Sequence, residues 1–88
     1  MYIHLGNNVM LPTSEIIGIF DLENTSISKR TRDFLNKAEK EGRVITISYD
    51  LPRSFVIAGK TIKDSKIYIS QISSSTLLKR TGYIDSLE

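Results

Sequence analysis

The 88-residue chain has no cysteine, one histidine, two prolines and no apolar run long enough to span a bilayer. Without thiols it has neither a disulfide framework nor a thiolate metal site. The start, MYIHLGNNVM, lacks the basic and continuous apolar regions of a signal peptide. The expectation is therefore a cytoplasmic protein with no membrane partner. At this length one domain over residues 1–88 is expected, and its core is marginal alone. With no covalent or metal staple available, assembly with further copies becomes the expected source of stability.

Aromatic residues make up 8% of the chain, too few and too scattered for a platform that stacks single-stranded bases. Tyr2, Tyr49, Tyr68 and Tyr83 are dispersed, and Phe20, Phe34 and Phe55 fall where core is expected. Charge, by contrast, is unevenly placed. Residues 1–28 hold Glu15, Asp21 and Glu23 with no Lys or Arg, whereas residues 51–80 hold Arg53, Lys60, Lys63, Lys66, Lys79 and Arg80 against Asp64 alone. Such a basic half attracts a polyanion, faces the acidic half of a neighbouring copy, or is simply a solvated surface.

Hydrophobic periodicity predicts the order β-β-β-α-β-β-β-α, an α+β domain with a small, mostly antiparallel sheet. Residues 2–5 alternate and residues 9–11 form an apolar run, with Gly6, Asn7 and Asn8 between them offering the chemistry of a hairpin turn. Residues 15–22, EIIGIFDL, read as a largely buried strand in which Gly18 permits a bulge. A helix starts near Ser26 or Ser28 and stops at Gly42, with Ile27, Phe34, Leu35 and Ala38 on one stripe. Residues 43–49 alternate, placing Ile45, Ile47 and Tyr49 together on one face. Asp50, Leu51, Pro52 and Arg53 break that strand, residues 55–58 resume it, and residues 66–72 form the last one. A short helix capped within Ser73 to Ser75 follows, with Gly82 as its stop.

Catalytic chemistry finds no foothold. His4 sits between Ile3 and Leu5 in the first strand and reads as a structural residue, and Ser73, Ser74 and Ser75 have no activating partner nearby. The stretch AGKT at residues 58–61 imitates a phosphate loop, but the required earlier glycine is Ser54 and a strand intervenes. No catalytic residue, metal or cofactor is expected. Basic residues at turns and helix ends remain, where long side chains reach phosphates without costing core positions. Duplex DNA is the favoured ligand, without a helix-turn-helix, since strands flank the long helix on both sides.

The segments YIHLGNN, EIIGIFDLEN and IYISQISSSTLLKR together resemble the extracellular matrix regulatory proteins of Gram-positive bacteria, in the RemB-type branch, over residues 1 to about 80. The resemblance implies a LytTR-like subunit in a ring oligomer. RemA-type relatives are DNA-binding transcriptional regulators of biofilm matrix genes whose rings present basic residues for DNA to wrap. It also exposes departures: those relatives carry arginines where this chain has Glu15, Leu51, Pro52 and Ser54, leaving Arg53 in the loop. The expected contacts to duplex DNA are thus Arg53 with Lys29, Arg30 and Arg32, in a homo-oligomeric ring. The competing expectation is a ring-forming interaction subunit that has given up DNA and tunes a related regulator by co-assembly.

Overall fold

A computed structural model describes residues 1–23 and 28–81. Strand β1 (Tyr2–Gly6) pairs antiparallel with β2 (Val9–Pro12) in a two-stranded sheet of its own. Its turn puts Asn7 and Asn8 at φ 49° and 66°, the left-handed pair a type I′ hairpin needs and Asn tolerates. Ile3 and Leu5 are fully buried, while His4 between them is exposed. The histidine's backbone carbonyl accepts a hydrogen bond from Arg80 Nη1 at 2.8 Å.

A single 3-10 turn (Thr13–Glu15) leads into β3 (Ile16–Asp21), which with β4 (Val44–Thr46), β5 (Ser54–Ala58) and β6 (Lys66–Ser70) forms a second sheet. Its spatial order is β3-β5-β6-β4, antiparallel except for the parallel pair β4 and β6. Central β5 is buried along its whole length, so both its faces must be covered. Helix α1 (Lys29–Lys40) covers one face, packing Phe34, Leu35 and Ala38 on Phe55, Ile57 and Ile67. The hairpin and helix α2 (Ser74–Arg80) cover the other, where Ile3, Leu5, Ile47 and Leu77 meet Val56.

Polar stitches fix this sandwich. The buried Ser70 hydroxyl donates to Leu5 O at 2.9 Å and accepts from Ile72 N, and buried Ser54 Oγ donates to Ile72 O at 2.6 Å. Among the described residues no buried side-chain polar atom lacks a partner, as a core of this kind requires. Ser28 Oγ caps α1 by accepting from Thr31 N, and Gly42 at φ +74° ends it. Ser73 caps α2 in the same way through Thr76 N. Ser26, Ile27 and Gly82 lie outside the described residues.

Three expectations are corrected. Strand β3 is an edge strand and only half-buried, with Ile17 and Phe20 exposed; the register slips between Ile16 and Gly18, so Ile17 is the bulge. Phe20 is accordingly a surface ring that stacks on buried Phe55 at 4.8 Å. Gly18 makes this placement available, because a Cβ there would stand 2.7 Å from the Phe20 ring. Finally, the strand expected over residues 43–49 stops at Thr46. Ile47 N still donates to Ile69 O, but Ser48 Oγ then captures Asp50 N in a side-chain turn, and Tyr49 is left 98% exposed.

Candidate nucleic-acid interface

Because β6 lies between β4 and β5, residues 48–53 do not form a hairpin tip; they cross over the end of β6 from one strand to the other. The crossover is held at both feet. Asn7 Nδ2 donates to Ile47 O at 3.0 Å, and Ser48 Oγ donates to Gln71 Oε1 at 2.8 Å. At the far foot Arg53 N donates to Ser70 O at 2.9 Å, and Arg53 O accepts from Leu22 N at 3.0 Å. Arg53 therefore has its backbone tied between both neighbours of β5. Its guanidinium is not idle either: Nε lies 2.9 Å from Glu23 Oε1, with both side chains about half exposed. An ion pair this wet contributes roughly 0–1 kcal/mol, so it orients Arg53 without locking it.

Lys29, Arg30 and Arg32 occupy the first turn of α1, are exposed, and have no acidic residue beside them in that turn. The helix dipole favours carboxylates there, and each misplaced base costs about 0.3–1 kcal/mol before screening. The C-terminal turn of α1 feeds β4, so the first turn lies toward the end of the sheet where β4 and β6 finish. Arg32 there shares a groove of about 430 Å³ with Thr46 and Ile69. Arg30 turns to the other flank of the helix and lines a groove of about 260 Å³ with Phe20, Thr31, Phe34 and Ile62. The fold thus gathers Arg53 and the basic turn at one end of the sheet, but divides Arg30 from Arg32 across the helix.

The remaining bases separate into bound and open ones. Arg43 is structural: Nη1 donates to Ser65 O at 2.8 Å and reaches Ile62 O, while its other nitrogens hold Glu41. Arg80 fastens α2 to the hairpin through His4 O. Lys60, Lys63 and Lys66 are exposed around the β5–β6 connection, at the opposite end from Arg53, as is Glu15, whose carbonyl accepts from Gly59 N.

Sequence patterning misses two features of this end. One is Glu23 as the partner of Arg53, which β3 and the foot of the crossover bring together from 30 positions apart. The other is the apolar tip of the crossover, where Tyr49 is 98% and Leu51 82% exposed. Pro52 after Asp50 and Leu51 signals the turn, but alternation alone had assigned Tyr49 to a packed face.

Compared with known proteins, residues 2–81 match the RemA-like family model, extracellular matrix regulatory protein A-like. Over 88 residues the chain is 35% identical to extracellular matrix regulatory protein B of Bacillus subtilis (strain 168), covering 100% of this chain and 99% of that one.

Proposed function

Because the chain belongs to the RemA-like family of extracellular matrix regulatory proteins, we propose that it is a cytoplasmic DNA-binding transcriptional regulator that holds duplex DNA electrostatically as a ring oligomer. The observation that carries this reading is the basic first turn of α1 at the same end of the sheet as Arg53. Bases placed against a helix dipole are costly for folding alone, and a phosphate backbone repays that cost. Lys29, Arg32 and Arg53 are the contacts of this face. Arg30, on the other flank of α1, serves a different surface. Few contacts per copy suffice in a ring, because each copy engaged raises the effective concentration of the next.

Electrophoretic mobility shifts of a duplex across a salt series test this. Binding should fall steeply as salt rises, and Arg53→Ala should weaken it more than Lys37→Ala, a change on the exposed side of α1. No binding at low salt, or binding indifferent to salt, sinks the reading.

The Arg53–Glu23 pair favours a second reading, an assembly subunit without DNA that modulates a relative by co-assembly. In that case the protein assembles by light scattering and leaves DNA unshifted.

A further inference from the structure

Two apolar surfaces have no covering among the described residues. One is the crossover tip at residues 49–51, where Tyr49 and Leu51 flank Asp50 with the tyrosine ring and the leucine side chain in solvent. Scattered exposed leucines are ordinary on protein surfaces, but two large apolar side chains on one projecting turn are not scattered. The other is the groove between α1 and β3, where Phe20 is 42% and Ile62 57% exposed over a floor of Phe34 and buried Phe55. The two surfaces complement one another in apolar character and charge. The tip carries a carboxylate between its apolar knobs, and the groove carries the Arg30 guanidinium at its rim. Among the described residues neither the Asp50 carboxylate nor the Arg30 guanidinium has a partner.

We propose that the 49–51 tip of one copy seats in the α1–β3 groove of the next copy, with Asp50 against Arg30, and that this contact builds the head-to-tail assembly. The proposal rests on the ring reading above and names its joint. Tip and groove are different patches of one chain, so the contact is heterologous, and repeating it gives a ring where the rotation closes. The tip is also pre-ordered. Pro52, the Ser48 turn and the ladder bonds of Arg53 hold it before any partner arrives, which reduces the ordering cost of association. A tyrosine entering an aromatic-lined hollow beside an arginine has the make-up of an interface anchor, with Leu51 adding buried apolar area.

The test uses full-length protein, light scattering after size exclusion, and two variants at exposed positions. Tyr49→Ser with Leu51→Ser removes the tip, and Ile62→Asp spoils the groove; circular dichroism checks that both retain the fold. Wild type should run larger than a dimer and each variant as a monomer. Mixed together, they should give a 1:1 heterodimer, because one intact tip meets one intact groove and nothing propagates. Asp50→Arg alone should weaken assembly by roughly tenfold, and Asp50→Arg with Arg30→Asp should recover it. If wild type assembles and both variants still do, this joint is wrong and the ring reading stands. Variants that fall to monomers but never pair on mixing also overturn the joint. A monomeric wild type overturns joint and ring together.

Discussion

The two ends of the four-stranded sheet both carry basic loops, yet they use them in opposite ways. At the 59–65 end the chain satisfies itself: Arg43 donates to Ser65 O and Ile62 O, Ser65 Oγ to Ile62 O at 2.7 Å, and Asp64 N to Thr61 Oγ1. At the crossover end the bonds hold the feet of the loop and the Ser48–Asp50 turn, while Tyr49, Leu51 and Lys29 are exposed. A base that closes a loop is part of the fold. A base that closes no loop, such as exposed Lys29, remains for something else.

Breaking the closed end should therefore cost the most stability. Arg43→Ala takes the arginine donor from the Ser65 carbonyl, while Ile62 O keeps Ser65 Oγ; with the arginine four-fifths buried, this should lower unfolding free energy by about 2 kcal/mol in urea titration. Gly59→Ala acts on the same loop through the backbone. At φ +147° an added Cβ is strained and meets Ser65 Cα at 3.0 Å, so a loss of about 1–3 kcal/mol is expected, with DNA binding retained. If either variant is as stable as wild type, this end is not the self-contained one.

How far the sequence foretold this contrast depends on whether the deciding contact is local. The Asn7 and Asn8 turn, the Ser28 and Ser73 caps and the Gly42 stop are legible because each is settled by a few neighbouring residues. The element order follows from the same signals. Strand order does not: the parallel pairing of β4 with β6 depends on which edge is left after β3 and β5 pair, and periodicity carries no trace of that. For the same reason the face expected to join Ile45, Ile47 and Tyr49 fails at Tyr49, which the crossover carries into solvent. Arg53 was legible as a loop arginine; its partner Glu23 was not, since only the completed ladder brings Leu22 beside Arg53.

At the open end the expected effects move from stability to binding. Glu23→Gln releases Arg53 from its carboxylate at a folding cost of no more than about 1 kcal/mol, because the pair is half exposed. Phosphate no longer competes with Glu23, so DNA affinity at low salt should rise and the salt slope steepen, both read from the mobility shifts. An unchanged or weakened affinity would mean that Glu23 aims Arg53 at its ligand instead of withholding it.

Leu51→Ser sharpens the contrast at its faintest point. The side chain is 82% exposed and touches nothing that the fold needs, so the denaturation midpoint measured at a dilution where copies separate should move by less than about 0.5 kcal/mol. The same measurement at high protein concentration should show wild type gaining stability and Leu51→Ser gaining less, because a contact between copies stabilises by mass action and the variant has lost part of it. Equal gains for both would place Leu51 outside every contact between copies. A large loss at dilution would instead make the crossover tip part of the fold and erase the difference between the two ends.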